Sequence, residues 1–205
     1  APPPLYYRSK NGAAQMGRLQ RDYTGTVAPV STFLHVLYRH GLTMGIFACL
    51  TAWLLSNPAL FWDAMKSFST NPANYALALL AILGFFYVVL LRKDLTLNPT
   101  QGLWVAYLLY ISIVEELAFR LFLPVILESS TDLIAAVVLS NFLFAGLHYF
   151  TLRWKWQNCL FAFFGGVGLS RLLDNSGDLT LVVLVHFVAT FLNTPSQPGA
   201  VRKKV

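Results

Sequence analysis

Charge is scarce in this chain: 12% of its 205 residues are Asp, Glu, Lys or Arg, about half the share carried by an ordinary soluble domain. A water-soluble globular domain is therefore excluded as the main body. Cysteine is nearly absent, and Cys49 and Cys159 both lie in apolar runs, so neither a disulfide framework nor a thiolate metal site is expected. They read as helix-packing residues. Acidic residues number nine against fifteen basic ones, giving a net charge of +6. The basic residues are dispersed beside apolar segments instead of forming a patch, which argues against nucleic acid and for membrane topology. Internal repeats and low-complexity tracts are missing. No HExxH stands on any apolar run, and the first 32 residues contain no apolar core of the kind a secretory signal needs.

What is abundant is apolar: 56% of the chain, with a mean hydropathy of +0.57. Apolar runs at 41–56, 75–91, 102–127, 132–150, 158–173 and 178–194 predict an all-α, polytopic membrane protein of six helices, each near the roughly 20 residues needed to cross a bilayer. Asn57-Pro58, Asn71-Pro72, Asn98-Pro99 and Asn175-Ser176-Gly177 mark the breaks. Six spans place twelve basic residues on one side and two, Lys66 and Arg171, on the other, with Arg120 inside a span. Lys and Arg are retained on the cytoplasmic side, so both termini are expected there, in a plasma or inner membrane. The organisation expected is a polar, basic segment at 1–32, a helical domain at 33–194 and a short basic tail at 195–205. The first of these is a candidate docking arm for other membrane subunits. In the fifth run Ala162, Gly166 and Ser170 recur every four residues, a small-residue stripe that lets helices pack closely.

The third run carries three charges, in SIVEELAFRLFLP at 112–124. An Arg or Asp at the centre of a spanning helix costs about 2.5–3.5 kcal/mol when it faces lipid, so these side chains must face protein or a wet cavity. Glu116 and Arg120 are four apart in the favourable order for a pair on one helix face. Glu115 is rotated from Glu116 by about 100° and projects elsewhere. On the fourth run Asn141, Phe144 and His148 share a face, and on the sixth His186, Thr190 and Asn193 form one stripe. Each histidine alone suits helix contact as well as chemistry. Together, a glutamate able to act as base, two histidines and an arginine on three helices are what hydrolysis of an amide requires.

EELAFR matches an EExxxR pattern, FAGLH an FxxxH pattern and HFVAT part of an HxxxN pattern, in that order. The region 102–194 thereby resembles the CPBP family of membrane proteins, which includes CAAX prenyl endopeptidases and bacteriocin-processing or immunity proteins. The resemblance implies a helical membrane core with a catalytic cavity open to the cytoplasm. It implies Glu115 as the base that activates water with help from His148, and His186 as an oxyanion donor together with the residue one turn later. Glu116 and Arg120 would hold the helix register or meet a substrate carboxylate, with Phe144 and Asn141 in support. The chain departs from the pattern at Thr190, where the family has Asn; Asn193 lies on the same stripe about 4.5 Å further along.

Two functions follow as expectations: an intramembrane endopeptidase acting on a peptide or protein, or a feebly active relative serving as an accessory subunit of a membrane complex. An ion or proton pathway ranks last, for want of acids spanning both leaflets. No cofactor is favoured; zinc on Glu115, His148 and His186 is the metal alternative.

Overall fold

Local capping chemistry sets the helix boundaries. The computed structural model describes residues 19–21, 30–95 and 98–198, so most of the expected docking arm and the end of the basic tail lie outside the described residues. Helix α1, Phe33–Leu55, starts where the Thr32 side chain accepts the amide of His35. Two short helices follow, α2 (Pro58–Ala64) and α3 (Lys66–Thr70), and then α4 (Pro72–Arg92). Helix α5, Pro99–Glu116, runs through a π-helical turn, Leu117–Phe122, into α6, Leu123–Glu128. The chain ends in α7 (Leu133–Thr151), α8 (Trp156–Ser176) and α9 (Leu179–Asn193). The three Asn-Pro pairs put proline at the first helical position of α2, α4 and α5, where its missing N–H costs nothing. Asn57 and Asn98 cap the amides of Leu60 and Gln101. Asp132 and Asp178 cap α7 and α9 in the same way, and Gly177, at φ 62°, ends α8 in the left-handed region that glycine adopts freely.

The described residues are all-helical, with one isolated antiparallel bridge between Gln20 and Trp154. The longer helices fall on the expected apolar runs, except that α1 begins eight residues before the expected position 41, and the short helices α2 and α3 lie outside any expected run. Arg39, expected in a preceding loop, is helical, and its guanidinium donates to the carbonyls of Phe150 and Thr151 at the C-terminal end of α7, 2.9 and 3.1 Å away. A cation there meets the negative end of the helix dipole. By length and composition α1, α4 and α7 can each cross a membrane, and α9 is a shorter apolar helix.

Large apolar side chains cover the outside: Ile134, Phe161, Trp53 and Phe142 are each more than two-thirds exposed, more than a monomer tolerates in water. Inside, Phe86 of α4 stacks on Phe191 of α9 with centroids 3.6 Å apart and meets Phe187 edge-on. Phe47 of α1 stacks on Phe119 of the π turn. Trp104 and Gln101 of α5 donate to the carbonyls of Thr194 and Pro195, fixing the exit of α9.

The small-residue stripe of α8 is where α7 comes close. Asn141 donates to Ser170 at 3.0 Å, and a Cβ added at Gly166 would lie 2.7 Å from Arg120 Nη2 and overlap Asn141 Oδ1. Both neighbours are buried and held in place. Gly166→Ala is therefore expected to cost about 1–3 kcal/mol by overpacking, read as a lowered unfolding midpoint, while Gly168→Ala, which meets open space, leaves that midpoint unchanged.

Candidate active site

Three helices and one π turn deliver the charged side chains to one place. Glu115 and Glu116 sit at the end of α5, where the backbone switches from α to π geometry. A π turn admits one residue more than an α turn and occurs mostly at functional positions. Arg120 lies within it, and Ser140 of α7 donates to the Phe119 carbonyl at 2.6 Å, tying the widened turn to its neighbour. His148 comes from the last turn of α7 and His186 from the middle of α9. All five side chains are buried.

The expected pair forms: Arg120 Nε lies 3.2 Å from Glu116 Oε2. Arg120 also rests on the face of Phe144, 4.1 Å from its centroid, a contact that compensates a desolvated guanidinium. The two glutamates do not, however, point to unrelated regions. His186 bridges them, with Nδ1 2.5 Å from Glu116 Oε1 and Nε2 3.6 Å from Glu115 Oε2. His148 Nδ1–H donates to the Phe144 carbonyl at 2.9 Å, and its Nε2 faces Glu115 Oε1 at 3.6 Å.

The sequence reading missed His40. It lies in a second π turn, Leu37–Gly41 of α1, with Nε2 3.1 Å from Glu115 Oε1. A signal was present, because His40, Met44, Ala48 and Thr51 form a helical stripe that is buried throughout. Starting the run at position 41 left it out.

A cavity of about 610 Å³ reaches this cluster and is lined by Glu115, His40, His148, His186, Arg120 and Trp104 among others. Thr190, half-buried, and Asn193, exposed, also line it on the stripe that continues from His186. Asn141 does not; it is spent between α7 and α8. Glu116 likewise stands behind the cavity wall. At the mouth Leu19 lines the cavity, held by its carbonyl to the Lys155 amide at 2.8 Å and to Asn158 Nδ2 at 2.9 Å.

One carboxylate surrounded by imidazole nitrogens, in a space able to hold water and an extended peptide, can accept a proton from water and return it. The same atoms of His40, Glu115 and His148, within 4.8 Å of one another, are also a donor set suited to a divalent cation, and each ring's other nitrogen already has a partner, as metal-binding histidines require.

The fold, with its apolar exterior and buried cluster of charged side chains, defines an integral membrane protein. Residues 99–192 match the family model described as Type II CAAX prenyl endopeptidase Rce1-like. That segment, a little under half of the chain, carries the first two motifs and the partial third, consistent with the CPBP resemblance. No curated protein and no solved structure matches the chain.

Proposed function

We propose that the protein is an intramembrane endopeptidase that hydrolyses a peptide bond with a water activated by Glu115. The observation that supports this most is the convergence of His148 Nε2 and His186 Nε2 on opposite oxygens of one buried carboxylate, each at 3.6 Å. That separation is too long for a direct hydrogen bond and leaves room for a water held between base and imidazole. In this reading Glu115 takes the proton of the attacking water and gives it to the leaving amine, and His148 orients the water. His186, which with its Nδ1–H held by Glu116 donates from Nε2 only as the imidazolium, and the Thr190 hydroxyl face the developing oxyanion. Six spans with cytoplasmic termini would open the cavity toward the cytoplasm. A CAAX prenyl substrate, which the family's description names, suits an apolar cavity with polar groups at one end. A cation in the same donor set would supply Lewis-acid activation of the water, so cleavage that survives dialysis against a chelator assigns activation to Glu115.

The test uses a farnesylated peptide ending in a CAAX sequence, presented to the purified protein in lipid nanodiscs, with product read by mass spectrometry. Wild type is expected to release the C-terminal fragment, and His148→Ala to do so about 10²-fold more slowly. Equal rates would refute the assignment of His148. A wild type inert toward both farnesylated and plain peptides would favour the second reading, an accessory subunit, for which Thr190 in place of the family Asn is the supporting observation.

A further inference from the structure

We propose that His40, outside the family's three motifs, is a positioning residue for Glu115 that fixes one of its carboxylate oxygens; this rests on the peptidase reading above. Thr151 Oγ1 lies 2.6 Å from the Leu147 carbonyl, which can only accept, so the hydroxyl hydrogen points there. His40 Nδ1 lies 2.8 Å from the same Oγ1. With that hydroxyl hydrogen already committed, the oxygen can only accept from the ring, and Nδ1 carries a hydrogen. In the neutral imidazole Nε2 is then a bare lone pair, and it faces Glu115 Oε1 at 3.1 Å.

Two lone pairs at that distance in a buried site repel each other unless a proton or a cation lies between them. A proton or a cation between them closes the contact, and in either case His40 fixes Oε1 of Glu115. Among the described imidazoles facing Glu115, His40 alone is within hydrogen-bond reach; those of His148 and His186 stand back at 3.6 Å. The site is thus asymmetric. Oε1 is committed to His40, and Oε2 is left to receive a proton from water.

Thr151 thereby decides which nitrogen of His40 meets Glu115.

Two measurements test it. In the peptide assay, His40→Asn, whose amide reaches Thr151 but not Glu115, is expected to lower kcat about 10²-fold with KM unchanged. His40→Gln, whose amide reaches Glu115 but cannot take a proton, should retain more activity than His40→Asn. His35→Ala, exposed on the same helix, should match wild type. Equal losses in the Asn and Gln variants, or no loss, would overturn the proposal. Nitrogen-15 NMR of histidine-labelled protein in nanodiscs is independent of any substrate. Nδ1 of His40 should be protonated, its resonance identified by its loss in His40→Gln and shifted by Thr151→Val; a bare Nδ1 would overturn the proposal. Glu115→Gln separates the two ideas. If it cleaves normally the peptidase chemistry fails, whereas an inert Glu115→Gln beside fully active His40 variants removes His40 alone.

Discussion

Glu115→Gln will slow peptide cleavage by about 10²–10⁴-fold, the range that general-base catalysis contributes, and will leave the helices assembled. The amide keeps the volume of the carboxyl and can still hydrogen-bond to His40, 3.1 Å away, so packing is preserved while the proton acceptor is lost. Single-turnover cleavage of the farnesylated peptide in nanodiscs gives the rate, and the unfolding midpoint gives the control. A small loss in rate would mean that water is activated elsewhere in the cavity. A large loss accompanied by unfolding would mean that the carboxylate serves the bundle instead of the reaction. The expected outcome combines the large rate loss with a midpoint near wild type.

Glu116→Leu is expected to destabilise the protein by about 3–5 kcal/mol, the cost of leaving a buried charge without its partner. Arg120 Nε reaches Glu116 at 3.2 Å, and both side chains are fully buried. Phe144 covers one face of the guanidinium at 4.1 Å and the Arg120 side chain has no exposed surface, so the charge is left buried when the carboxylate is gone. The same substitution frees Nδ1 of His186, which contacts Glu116 at 2.5 Å, so its ring loses its fixed tautomer. Glu116→Leu with Arg120→Met should recover much of the stability, because an apolar pair of similar volume often replaces a buried ion pair without loss. It should not recover cleavage, since His186 stays unanchored. A double variant as unstable as Glu116→Leu would show that the arginine has a further partner that the leucine does not disturb.

Much of this architecture is legible in the sequence because its punctuation is chemical. An Asn-Pro pair supplies a cap and a preset φ, and that combination starts α2, α4 and α5. The burial of Glu115, Glu116 and Arg120 follows from their cost in lipid, whatever the fold. The beginning of α1 was not legible, since hydropathy treats Arg39 and His40 alike as polar. Arg39 reaches outward to the last carbonyls of α7, whereas His40 turns inward to Glu115. Nor was the junction at His186 legible. Adjacent glutamates on an α-helix diverge by about 100°, but a ring with a nitrogen at each side can span the gap, and this depends on how α9 approaches α5. Asn141 shows the opposite limit, because it shares a face with His148 yet is used between α7 and α8.

The two π turns give the site a phase as well as a position. Each is a local excess of one residue over the α-helical repeat, at Leu37–Gly41 beside His40 and at Leu117–Phe122 around Arg120. Losing one residue from either would let the α-helical repeat close over the turn, so the flanking stretches keep their faces while the widened turn that aims His40 or Arg120 is lost. Hydropathy would register nothing. A chain with the same apolar profile but one residue fewer between Glu115 and Pro124 is therefore a different machine, and single-residue gaps in these two turns are the lesions that would silence the cavity while leaving the bundle whole.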